Sequence, residues 1–189
     1  MSTISAPYGM RPAWHLGGGT IRSIAFDGGI ASTYNTSLGE GDAVNLVTSG
    51  TFASSAAGTL IDGVFHRVQY TNSAGDVVVG QYWPASTTAT NITCWVYIDK
   101  QIVYQIQSNG SIAITARGDC ADIIVGTVNT KSGNSTTQIS STLVGAGNSA
   151  QLKIIGAPQG TNNAWGDTYT EVWAIINEQG LGFIPGNAV

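Results

Sequence analysis

Nowhere in this chain do apolar residues recur at helical spacing over three turns; they come in short alternating runs cut by glycine and asparagine. Residues Ile102, Tyr104 and Ile106 alternate with Val103, Gln105 and Gln107, and Ile112, Ile114 and Ala116 resume the pattern after Ser108-Asn109-Gly110. Asn-Gly between two alternating runs predicts a hairpin, because both central residues tolerate positive φ. A second hairpin is expected over Val64 to Trp83, turning at Thr71 to Asp76 and stopped by Pro84. Further strands are expected at Ile21–Ala25, Ala43–Thr48, Ile92–Ile98, Ile123–Val128, Gln138–Leu143, Leu152–Ile155 and Glu171–Asn177. About ten short, β-branched strands with glycine-rich turns predict an all-β fold, a β-sandwich, jelly-roll or β-barrel. Residues 131–137 and 158–167 read as polar loops, and no unit repeats at a fixed period.

The first nineteen residues differ from this pattern. Pro7, Gly9, Pro12 and Gly17 to Gly19 disfavour a helix or a central strand, yet Tyr8, Met10, Trp14 and Leu16 are too apolar for a solvated tail. The reading is an extended N-terminal arm over 1–19, lying in a groove of its own domain or of a neighbour, and a single β domain over 20–189. A chain of 189 residues fits one domain with an arm, long enough for a core without disulfide or metal staples.

Charge narrows the function. Charged residues make up 10% of the chain, against roughly 25% in an average soluble protein, so part of the surface is expected to be covered by partners. The net charge is −4 and the basic residues are scattered singly. Without a basic stripe, no nucleic-acid partner is expected. No apolar run approaches the ~20 residues of a membrane span and no signal-peptide pattern opens the chain, so no membrane partner is expected and synthesis in a cytoplasm is.

Chemistry finds little foothold. His15 and His66 lie far apart without clustered donors, so no metal site is expected. The serines carry no nucleophile-elbow pattern and the aspartates never recur at calcium-loop spacing. Gly39 to Val44 is read as a turn rather than a phosphate loop, since its acids would repel a phosphate, and Arg117-Gly118-Asp119 as the end of a strand. Cys94 and Cys120 are expected as buried thiols rather than a disulfide. A pair among the eleven carboxylates is chemically conceivable but nothing motivates it, so no catalytic residue, cofactor or enzymatic activity is expected.

Aromatic side chains remain: Tyr8, Trp14, Trp83, Trp165 and Trp173 are available as interface anchors or sugar-stacking surfaces.

Several segments taken together resemble a family of tailed-bacteriophage head structural proteins. They are Ala6-Pro7-Tyr8-Gly9-Met10-Arg11-Pro12 with His15, Gly17 to Gly19, Ile21 and Arg22; Gly41-Asp42; and Gly63-Val64-Phe65 with Tyr70-Thr71 and Gly75. Further along are Tyr82-Trp83-Pro84-Ala85, Gln105-Ile106-Gln107, Ala150-Gln151-Leu152, Trp165-Gly166 and Ile176-Asn177-Glu178. Ile98-Asp99-Lys100 departs from the Asp-Asp-Pro of that family.

The resemblance implies a capsid cement or decoration protein on the virion surface, whose partner is the major capsid protein and whose expected state is a homotrimer at local threefold positions. Under it, the candidate interface residues are Pro7, Tyr8, Arg11, Pro12, Trp14, His15, Trp83 and Trp165. The alternative expectation is a head- or tail-borne module binding host glycans on Trp83 or Trp165.

Overall fold

The computed structural model describes residues 4–146 and 149–178. Residues 1–3 of the expected arm, and 147–148 and 179–189 of the expected domain, lie outside the described residues. In chain order the strands are β1 (Arg11–His15), β2 (Ile24–Asp27), β3 (Leu38–Gly39), β4 (Ala43–Leu46), β5 (Phe52–Ser54) and β6 (Gly63–Asn72). There follow β7 (Val77–Gly80), β8 (Tyr82–Trp83), β9 (Ala89–Tyr97) and β10 (Ile102–Gln107), then a single 3-10 turn at Ile114–Ala116. The chain ends in β11 (Cys120–Ala121), β12 (Ile123–Ile124), β13 (Gln138–Ile139), β14 (Leu152–Gly156) and β15 (Glu171–Ile176). The described chain is all-β, as its patterning predicts.

Two larger sheets dominate. The first runs β1-β10-β15-β14-β11, and the second runs β2-β9-β6-β4-β5 with β7 added to β6. Each has its own core. Tyr104, Ile106, Leu152, Ile154, Val172 and Ala174 project from the first sheet into one cluster. In the other, Phe52, Phe65, Val68, Cys94 and Val96 of the second sheet meet Trp83, Leu38 and Ile30. Fully burying a side chain of this size stabilises by roughly 1.5–3 kcal/mol.

The two cores share a wall. Ala43 and Val64 belong to the first cluster, whereas their chain neighbours Val44 and Phe65 belong to the second. Strand geometry explains this, since successive side chains point to opposite faces. Here the starts of β4 and β6 are buried on both.

The Val64–Trp83 hairpin forms as β6 and β7, with Val68 opposite Gly80 and Thr71 opposite Val77. By contrast, the hairpin expected at Asn109-Gly110 does not form. β10 pairs with β1 on one edge and β15 on the other, so no edge is left for a returning strand. Neither Asn109 nor Gly110 takes the positive φ that a tight hairpin turn requires. The Asn109 carboxamide instead accepts from the Ser141 N–H at 2.8 Å, and Ile112 enters the first core ahead of the 3-10 turn.

Of the two places expected for the N-terminal segment, its own domain or a neighbour, the described residues lie against their own domain. Met10 is fully buried in the first core, and Arg11–His15 is a strand of the first sheet. The Met10 N–H donates to the Gly41 carbonyl at 2.8 Å. At Gly9, φ is +75° and an added Cβ would stand 2.7 Å from both the Gly41 oxygen and the Ser135 Cβ, so only glycine fits the crossing.

Beside that crossing, Asp42 is buried. Its carboxylate accepts from Gly39 N–H at 2.7 Å, from Thr137 Oγ1 at 3.1 Å and from Ser135 Oγ. Burial pushes its pKa up, opposed by those hydrogen bonds. This knot ties the 133–137 loop to the β3–β4 turn, where the N-terminal segment passes.

Candidate interaction face

The outward face of the first sheet gathers three of the six N-terminal candidates, Tyr8, Arg11 and Trp14, and two β-bulges shape it. On β1 the register slips between Pro12, opposite Tyr104, and Trp14, opposite Val103. Without the extra residue Trp14 would share Pro12's face; the bulge turns it to the side of Arg11. On β14 the register slips between Ile154 and Gly156, which sets Gly156 opposite Trp173. A Cβ at Gly156 would lie 3.1 Å from the Trp173 ring, so the indole rests against bare backbone.

Trp14 and Trp173 meet edge to face at 6.0 Å and 88°, with Trp14 40% exposed. Edge-to-face contact favours this pairing because the positive ring edge meets the negative ring face.

Polar contacts frame the pair. Gln105, beside Trp173 in the ladder, donates to Glu171 at 2.5 Å. Buried Gln107 holds the start of the segment, accepting from the Ala6 N–H at 2.9 Å and donating to the Ile4 carbonyl at 3.3 Å. The Arg11 guanidinium stacks 4.5 Å from the Tyr8 ring centre. The Tyr8 hydroxyl is enclosed near Gln105 and Glu171; burial first, and then the Glu171 carboxylate, raises its pKa above the ordinary phenol value.

The remaining candidates scatter. His15 Nδ1 accepts from the Gly17 and Gly19 N–H groups at 3.1 and 3.2 Å. Its proton therefore rides on Nε2, which donates to Asp99 at 3.0 Å. This histidine organises its own glycine loop. Pro7 and Pro12 are half-buried.

Trp83 is fully buried in the second core, edge-on to Tyr70 at 5.1 Å, which removes it as an interface or sugar platform. Its aromatic bulk, which suggested a surface, packs instead in the core that holds Ile30 and Leu38. Trp165 packs partly buried against the first core, with the Arg117 guanidinium 5.9 Å away. It is not part of the Trp14–Trp173 pair.

Trp173, named among the available aromatics but left out of the interface set, and Trp95, not singled out at all, both face outward, as alternation marks. Trp173 falls between the core residues Val172 and Ala174, and Trp95 between Cys94 and Val96. Trp95 stacks under Arg67 at 4.5 Å on the outer side of the second sheet. His66 also has an acidic partner unforeseen from spacing, Glu40 at 3.1 Å.

A recess of ≈ 80 Å³ opens between the N-terminal segment and the β3–β4 turn, lined by Tyr8, Arg11, Glu40, Tyr97 and Asn134 among others. It holds no activated nucleophile. Among the described residues no three His, Cys, Asp or Glu side chains converge as metal ligands. Cys94 and Cys120 are buried free thiols, and burial pushes Cys94 up to about 12. The arrangement suits non-covalent docking on a rigid aromatic face. No family model matches the chain, and no match was found among curated proteins or solved structures.

Proposed function

We propose that this protein is a virion structural protein that binds the outer surface of a phage head and cements neighbouring major capsid subunits, acting as a homotrimer. The observation that carries the reading is the outward Trp14–Trp173 pair, aimed by two bulges, on a chain with only 10% charged residues. Large aromatic side chains on a strand bury area with little entropy to lose, which suits interface anchors. The choice of a capsid as the partner comes from the likeness of the N-terminal and internal motifs to phage head proteins. In this reading the N-terminal segment supplies Trp14 to the face rather than reaching across to a neighbour. Stapling follows when one rigid body engages two capsid subunits, because separating them must break both contacts together.

The test uses heads assembled without this protein and the purified full chain, with bound copies measured by sedimentation. Trp14→Ala combined with Trp173→Ala is expected to weaken binding by at least about tenfold, the scale of a lost anchor, in a protein that still folds. Equal binding by the double variant would remove the face from the proposal. The exposed face of the Trp14 indole also suits stacking on a sugar ring. Specific capture on a glycan array without head binding would favour that alternative.

A further inference from the structure

The ladder between β6 and β7 shows which backbone groups are left over. The Asn72 N–H donates to the Asp76 carbonyl at 2.9 Å, so 72/76 is a hydrogen-bonded pair. Antiparallel ladders alternate, so 70/78 and 68/80 are the next such pairs. Val77 and Val79 therefore turn their N–H and C=O groups away from β6. No other strand pairs with that edge among the described residues. Both side chains are exposed, Val77 by 65% and Val79 by 60%.

The other outer edges of the two larger sheets are blunted. β1 carries Pro12 and a bulge, β2 ends on Asp27, β5 is met by the Gly29 carbonyl through Phe52, and β11 is bridged to Val144. β7 reads Val-Val-Val-Gly, without charge, proline or bulge.

We propose that β7 pairs antiparallel with β7 of a second copy about a two-fold axis through Val78. Only registers whose paired positions sum to an even number keep like faces together. Of these, the one setting Val77 opposite Val79′ bonds the free N–H and C=O groups of both valines in both chains. It places Val78 against Val78′ and Asp76 against Gly80′, so no like charges face each other. Valines 77 and 79 of both copies then form one continuous stripe on the outer side of the joined sheet. The strand is thus complementary to itself, which is the argument for a second copy as the occupant. A two-fold contact cannot build a trimer, so it would link subunits of adjacent trimers. It stands independently of the head-binding proposal.

Sedimentation equilibrium of the full chain, up to ~1 mM because a contact this short buries well under 1,200 Å², is expected to show a two-fold association, monomer to dimer or, where the chain is already trimeric, trimers joined through one contact. Val79→Pro removes an outward N–H without touching the β6 ladder, and is expected to weaken dimerisation by at least about tenfold. Val79→Lys serves as a second variant should the proline disturb folding, checked by circular dichroism, with the same expected loss. Val78→Cys is expected to cross-link through the close 78/78′ pair on mild oxidation, faster than Ser73→Cys at the exposed hairpin tip. A parent showing no such association throughout the range, association unchanged in folded Val79→Pro and Val79→Lys, or equal cross-linking at 73 and 78 would overturn the pairing.

Discussion

Within the two larger sheets, β7 and β10 acquire their neighbours in opposite ways. In the second, β6 and β7 are consecutive and joined by a short turn, with Gly75 at φ +91° and the Asn72 carboxamide accepting from the Ala74 and Asp76 N–H groups. In the first, β10 lies between β1 and β15, both brought from distant parts of the chain. The same kind of signal, Asn and Gly between alternating runs, produced a hairpin in one place and an exit from the sheet in the other. Turn chemistry acts only where the strand keeps an open edge. At β10 both edges are claimed by longer pairings that also bury Met10 and Val172.

Substitutions at four positions probe that contrast. Trp83→Ala removes the largest buried side chain of the second core and is expected to cost about 3–5 kcal/mol in urea denaturation. A cost below about 1 kcal/mol would mean the loops over the second sheet close without it. Met10→Ala asks whether the remote strand of the first sheet is integral. The expected loss is about 2–4 kcal/mol, where a detachable arm would lose almost nothing.

Asp42→Ala deprives Gly39, Ser135 and Thr137 of their acceptor and is expected to cost about 2–3 kcal/mol. The carboxyl also carries a pH signature. Its folded pKa is raised by burial, so the stability it contributes is present below the ordinary value of 3.8 and is lost as pH rises through the raised one. The parent should therefore lose stability relative to Asp42→Asn as pH climbs from that value upward, measured by paired urea melts. Last, Gly75→Ala places a Cβ at positive φ and is expected to cost about 1 kcal/mol, confined to the hairpin and visible as faster amide exchange at Asn72, Tyr70 and Val78, whose N–H groups bond across it.

Much of the fold was legible because strand alternation is a local property. β4, β6, β7, β9, β10, β14 and β15 fall where period-two patterns place them, within a few residues. Less legible were pairings between distant segments, and they matter most at the face. Nothing local to Arg11–His15 names Gln105 and Val103 as its neighbours, and nothing in the single residue Ala13 announces a bulge that reverses Trp14. Trp83 misled for a related reason: an aromatic beside Pro84 at a strand end looks exposed until its distant strand partner Leu38 and their common core are known. Trp173 was readable from the alternation of 171–176, but only a known inner face for β15 tells which half of the alternation is outside.

The wall shared by the two cores has a mechanical consequence. Ala43 and Val44, or Val64 and Phe65, cannot be pulled from one core without dragging the adjacent residue from the other. A tensile load applied to either sheet therefore reaches the second through two covalently continuous strands rather than through a slip plane. The described chain should yield to force in one event, at a threshold set by both cores in parallel.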